Sequence, residues 1–149
     1  TEFTDMRAAY DALPEETKKR ISALSAEHSY WHSRVKGGGP EPTTEERNSR
    51  PPAQHKLVHV HPTSNRRALY LASHASHIVG WPVQDGRDML EELMEHATQP
   101  QFVFRHRWRI GDVVIWDNLA TMHRATPFED TRHRRDMRRT TCREREVLN

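Results

Sequence analysis

The chain has 149 residues, the length of one domain. Only 34% are AVILMFWYC and 30% are charged, no apolar run approaches the ~20 residues of a membrane span, and no basic-apolar-small start reads as a signal peptide. The single Cys142 excludes an internal disulfide or a cysteine-cluster zinc site and fits a reducing cytoplasm, and a formal net charge of +2 argues for nucleic acid only if basic residues cluster.

In chain order, Met6, Ala9, Tyr10 and Leu13 fall on one helical face. Pro14 suits a helical first turn followed by Glu15 and Glu16, and Ile21 and Leu24 carry a second amphipathic helix to about His28. From Trp31 to His55 apolar residues thin out among Gly37, Gly38, Gly39, Pro40, Pro42, Pro51 and Pro52, which reads as a mobile flap or lid. Leu57–Val60 and Ala68–Ala72 flank a polar turn and read as a hairpin. Asp85 is placed to cap a helix over 86–98 that turns Met89, Leu90, Leu93, Met94 and Ala97 inward. Alternation of Phe102, Phe104, His106 and Trp108 with polar neighbours predicts a strand, Gly111-Asp112 a turn, and Val113–Trp116 a buried strand broken by Asp117-Asn118. A short strand is expected over Met122–Ala125, a loop at 127–131, and a last strand over Arg134–Cys142. The pattern is mainly β with helical additions, an antiparallel sandwich or barrel.

The chemistry concentrates between Trp116 and Thr141. His123 sits on a predicted strand, and histidine is the commonest metal ligand. Arg135 and Arg139 share one face of the last predicted strand, where two inward guanidinium groups need anions, and arginine grips carboxylates in a planar, bidentate way. That face is suited to one or two carboxylate ligands beside a metal-binding histidine.

These residues resemble a known family. TEFTDMRAAYDALP at the start, AEH at 26–28, HASHIVGWP at 74–82, LMEHATQ at 93–99, FRHRWRIGDVVIWDN at 104–118, HRATPF at 123–128 and RRDMRRTT at 134–141 are similar to the Fe(II)/2-oxoglutarate-dependent dioxygenases of the taurine dioxygenase type, and among them to the enzymes that act on 2,4-dichlorophenoxyacetate. The resemblance implies a double-stranded β-helix (jelly-roll) core. It implies His123 as the second histidine of a two-histidine, one-carboxylate iron triad, the catalytic metal site. Arg135 would bind the distal carboxylate of 2-oxoglutarate, Thr1 would contact the same cosubstrate, and Arg139 would contact the acidic group of the substrate. A one-residue shift would give the cosubstrate role to Arg134. Trp116 and Asn118 would shape the strand end that presents His123. The implied reaction consumes O2 and hydroxylates a small carboxylate, a phenoxyacetate being cleaved to a phenol and glyoxylate; a taurine-like sulfonate is the alternative substrate.

One feature of that family is missing. Its first two iron ligands form a His-x-Asp or His-x-Glu motif, and none of the 11 histidines has an acid two places on. The chain, which begins at Thr1, is therefore expected to be the C-terminal part of a single dioxygenase domain spanning 1–149, its jelly roll incomplete, and to bind iron poorly and be inactive alone. Other readings carry less. His59-x-His61 and His74-x-x-His77 are weak metal pairs without carboxylate partners and fit a substrate pocket or surface better. His106 reads as a packed strand histidine and Cys142 as a small core residue. The arginines from Arg124 to Arg145 invite a nucleic-acid or interaction-module reading, but Glu129, Asp130, Asp136, Glu144 and Glu146 are interleaved, so no nucleic acid and no membrane partner is expected. A homo-oligomer remains open.

Overall fold

A computed structural model describes residues 1–142. In chain order these form β1 (Glu2–Asp5), α1 (Met6–Asp11), α2 (Glu15–Ile21), β2 (Ser25–His28), α3 (Tyr30–Lys36), α4 (Thr44–Ser49), β3 (Ala53–Lys56), β4 (Val58–Val60), β5 (Arg67–Leu69), β6 (Ala75–Ile78), α5 (Val83–Ala97), a 3-10 turn (Pro100–Phe102), β7 (Val103–Arg105) and β8 (Thr121–Arg124). The strands pair antiparallel in three small sheets, ordered β7-β1-β8, β3-β2-β6 and β4-β5.

The core forms where α1 and α5 cover these sheets. Met6, Ala9, Tyr10 and Leu13 meet Leu57, Leu69, Leu71 and Ile78 and the α5 residues Met89, Leu90, Leu93 and Ala97, all buried. Each apolar spacing read from the sequence for α1 and α5 is thus the buried face, with Met94 partly buried. Asp5 caps α1 by accepting from the backbone N–H groups of Arg7 at 2.9 Å and Ala8 at 3.2 Å. Gly86 lets α5 lie against β6: a Cβ there would stand 2.6 Å from the Ile78 nitrogen. Thr4 Oγ1 donates to the Ala97 carbonyl at 2.6 Å and ties β1 to the end of α5.

Several local expectations change. The helix expected to run to about His28 ends at Ile21, and Ser25–His28 becomes the central strand of a sheet, since β3 and β6 both bond to it. The Trp31–His55 stretch is not a structureless flap: Ser29 caps α3, and Thr43 with Glu46 forms a reciprocal capping box on α4. Trp31 Nε1 donates to the Glu46 carbonyl at 2.9 Å and joins the two helices. Helix α5 starts at Val83 after Pro82, so Asp85 lies inside its first turn instead of capping it. The strand expected over Phe102–Trp108 shrinks to β7, and Val113–Trp116 is irregular, with Val113 85% and Ile115 93% exposed, because no strand among the described residues pairs with it. Arg134–Cys142 forms no ladder either, and Cys142 is exposed instead of packed. Arg143, Glu144, Arg145 and Glu146 lie outside the described residues.

Candidate functional site

The outward face of the β7-β1-β8 sheet gathers the residues singled out from the sequence. Phe3 on β1 stands directly opposite His123 on β8, so both side chains leave the sheet on one side, as does Thr1 two residues earlier. Trp116 lies over them: its ring centroid is 4.9 Å from His123 and 5.4 Å from Phe3. Trp116 Nε1 donates to Asn118 Oδ1 at 2.9 Å, just ahead of β8. The opposite face carries Glu2, whose carboxylate is bonded by Arg124 Nε at 2.7 Å and held below the usual carboxylate range by it. Arg124, beside His123 in sequence, is thereby turned away from the site.

His123 is partly desolvated against the two aromatic rings, and the nearby Arg139 guanidinium adds a positive charge. Both effects lower its pKa, burial most, and keep the imidazole neutral at pH 7, the form that binds a metal. The charge of Arg139 reaches His123 although no strand carries it.

Thr1 and Arg135 meet. Arg135 Nη2 donates to Thr1 Oγ1 at 3.4 Å, its Nε points at Met137 Sδ at 2.8 Å, and its guanidinium lies 5.5 Å from the Phe128 ring centroid. Arg134 instead faces Asp136 at 3.7 Å. Of the two adjacent arginines it is Arg135 that joins Thr1, and it stays exposed, with its remaining N–H groups open to an anion.

Two contributors were not legible in the sequence. His61, one of the weak metal-pair candidates, is 5% exposed and bonds Asp117. The Ser64 backbone N–H donates to His61 Nδ1 at 3.1 Å, which leaves Nε2 as the protonated nitrogen, and Nε2 donates to Asp117 Oδ2 at 2.7 Å. This bond is the main cause of an Asp117 pKa below the ordinary value. His59 Nε2 bonds the Leu119 carbonyl at 2.7 Å. Both histidines therefore brace the 117–120 turn that launches β8. The second contributor is Trp108, whose Nε1 donates to Thr1 Oγ1 at 2.8 Å. His77 Nδ1 lies 3.0 Å from the Ser76 hydroxyl, away from any metal cluster.

Among the described residues no group of three His, Cys, Asp or Glu side chains is placed to hold a metal ion, and His123 is the one donor at this site. No described helix is long and apolar enough to cross a membrane. A cleft of about 970 Å³ between α3, β6 and α5 is lined by neither Thr1, His123 nor Arg135 and is not this site.

Comparison with known proteins gives the family. Residues 1–141 match the model of the taurine catabolism dioxygenase TauD, TfdA family. The chain is 50% identical over 141 residues to an alpha-ketoglutarate-dependent 2,4-dichlorophenoxyacetate dioxygenase from Burkholderia sp. (strain RASC), covering 95% of this chain and 47% of that protein. It is 37% identical over 140 residues to an (S)-phenoxypropionate/alpha-ketoglutarate-dioxygenase from Sphingobium herbicidovorans, covering 90% of this chain and 49% of the other. The crystal structure of AAD-2 in complex with Mn(II) and N-oxalylglycine superposes with a TM-score of 0.84 at 48% identity, over 87% of this chain and 51% of that one. The chain spans about half the length of the curated relatives it matches. With a match over almost its whole length, the chain belongs to the taurine catabolism dioxygenase TauD, TfdA family.

Proposed function

We propose that the chain is the C-terminal part of an Fe(II)- and 2-oxoglutarate-dependent dioxygenase acting on a small aryloxy carboxylate, 2,4-dichlorophenoxyacetate or a related phenoxyalkanoate. The observation that carries the reading is that Thr1 and His123 leave the β7-β1-β8 sheet on one side, with Arg135 bonded to Thr1 and the positive charge of Arg139 acting on His123. Identity supports the aryloxy substrate over a sulfonate or sulfate ester. It is 50% and 48% to the 2,4-dichlorophenoxyacetate enzymes and 33% to an alkylsulfatase of Acinetobacter baylyi.

The fit to each small molecule differs. For iron, the described residues offer one suitable donor, so they do not hold the metal by themselves; in the proposed whole enzyme a His-x-Asp or His-x-Glu pair outside this chain completes the set. For 2-oxoglutarate, Arg135 and Thr1 together present guanidinium and hydroxyl donors to a carboxylate. Arg139, beside His123, is assigned to the substrate carboxylate. Trp116 and Phe3 form an apolar wall against one side of the imidazole, which stays exposed on the other. Helices α3 and α4, within the Trp31–His55 stretch, are assigned as the lid. The fold assigned to the whole protein is a double-stranded β-helix of which this chain carries an incomplete share.

The bound metal and cosubstrate would supply the oxidant made from O2. The balanced outcome is that 2-oxoglutarate loses CO2 and becomes succinate, one oxygen atom is inserted at the C–H beside the ether oxygen, and the resulting hemiacetal separates into a phenol and glyoxylate. Anchoring both carboxylates holds that C–H bond in place, the contribution of this chain to the rate.

The test is to extend the coding sequence upstream of Thr1 in frame and assay the longer protein with Fe(II), 2-oxoglutarate and O2. Phenol and glyoxylate release from 2,4-dichlorophenoxyacetate is expected, while the 149-residue chain alone is inactive. Turnover by the 149-residue chain alone would overturn the division of the site. Sulfite release from taurine without phenol release would overturn the substrate.

A further inference from the structure

Thr1 has a fixed hydrogen-bonding polarity, and an aromatic side chain outside the proposed ligand set fixes it. A hydroxyl has one hydrogen and two acceptor positions. Both acceptor positions of Thr1 Oγ1 face donors, Trp108 Nε1–H at 2.8 Å and an Arg135 Nη2–H at 3.4 Å. Neither donor can accept in return. The Thr1 hydrogen is thereby left to donate, and it has no protein acceptor among the described residues.

Trp108 is itself held. The His106 ring meets it edge to face with centroids 4.6 Å apart and planes at 86°. His106 Nε2 bonds Asp112 Oδ2 at 3.0 Å, and that carboxylate also accepts the Arg109 backbone N–H at 2.8 Å. The His106 backbone N–H donates to the Thr1 carbonyl at 2.9 Å, extending the β1–β7 pairing. The turn over 106–112 therefore locks the indole in register with Thr1.

We infer that Trp108 is a positioning residue for 2-oxoglutarate: by filling an acceptor position of Thr1 Oγ1, it commits that hydroxyl to donating to the cosubstrate carboxylate beside Arg135. A carboxylate is acceptor-only, so it fits a hydroxyl that can only donate. The inference rests on the proposed cosubstrate role of Thr1 and Arg135 and adds the residue that orients it. Trp108 touches no reactant and acts through Thr1.

The first measurement uses the 149-residue chain and no ligand. It has four tryptophans, and loss of one indole N–H signal in Trp108→Phe identifies the Trp108 resonance in a ¹H–¹⁵N spectrum. Thr1→Val is expected to move that resonance upfield and speed its exchange with water, whereas Thr1→Ser leaves it in place. An unmoved resonance in Thr1→Val overturns the inference, and sequential assignment of the wild-type spectrum identifies the Trp108 signal should Trp108→Phe not fold. The second measurement uses the longer protein that carries the complete site. Trp108→Phe is expected to weaken 2-oxoglutarate about three- to tenfold, the loss of one shared hydrogen bond, with kcat and the aryloxy substrate KM within about twofold. Wild-type binding of 2-oxoglutarate that Trp108→Phe leaves unchanged overturns the inference alone. A wild-type protein that binds no 2-oxoglutarate overturns the functional reading and this inference with it, while the ligand-free spectrum still reports the Trp108–Thr1 bond.

Discussion

Acid should weaken this fold through His28 well before its carboxylates titrate. His28 lies on the central strand β2, its ring 5.0 Å from His55 and 5.5 Å from Tyr70, and its buried Nε2 has no hydrogen-bond partner. Burial, aided by the charges His55 and His74 would carry, lowers its pKa from 6.5 to about 4. The unfolded chain therefore binds a proton that the folded chain refuses between those values. Stability is intact above the unfolded pKa, falls as pH drops below it, and the loss is complete near the folded pKa. The full shift corresponds to about 3 kcal/mol at ~1.4 kcal/mol per unit. The site is only half-buried, so solvent screening reduces the expected loss to about 1–2 kcal/mol. His28→Phe keeps a ring against Tyr70 and removes the titrating nitrogens. Urea unfolding followed by tryptophan fluorescence, repeated from about pH 7.5 to about pH 5.5, compares the two proteins above the range where unfolded carboxylates titrate. The variant is expected to match the parent within about 1 kcal/mol at the upper end and to exceed it at the lower end. His32 and His123 shift the same way but are present in both proteins, so the difference between the two curves isolates His28. Curves that stay parallel across the whole range would refute the reasoning.

Other outcomes follow from single contacts. Asp117→Asn keeps an acceptor for His61 but removes its charge, and should cost about 1 kcal/mol; in a double-mutant cycle with His61→Ala the two losses should be well short of additive, and simple additivity would show that the 2.7 Å bond contributes nothing. Gly86→Ala places a methyl 2.6 Å from the Ile78 backbone nitrogen and should cost about 1–3 kcal/mol, read as a lowered Tm; an unchanged Tm would mean that α5 moves freely off β6. In the longer protein, Arg135→Ala should raise the 2-oxoglutarate KM by about tenfold or more while Arg134→Ala, whose side chain faces Asp136, leaves it unchanged; the reverse result would assign the cosubstrate to Arg134.

What the sequence disclosed divides by the range of the interaction. The apolar spacing of Met89, Leu90, Leu93 and Ala97 is a local signal, and those residues are the buried face of α5. The β4–β5 hairpin and β8 were legible for the same reason. Ser25–His28 carries no alternation of its own and becomes a strand because β3 and β6 bond it from both sides. Val113–Trp116 is the converse: its composition suits a strand, yet pairing needs a partner that no described residue provides. Pattern reports what a segment can bury, and only the rest of the chain decides whether it does.

The site follows the same division. His123 and Arg135 were legible through motifs, but the residues that orient them come from distant segments. The Asp117-Asn118 break after an apolar run is a local turn signal, realised as the Leu119 N–H donating to Asp117 Oδ1 at 2.7 Å. Nothing local shows that His61, on the loop after β4, supplies the other half of that support. Read alone, His59-x-His61 resembles a metal pair. In the fold both side chains spend their Nε2 atoms on the 117–120 turn, so two histidines that are far from His123 in sequence support the turn from which its strand starts.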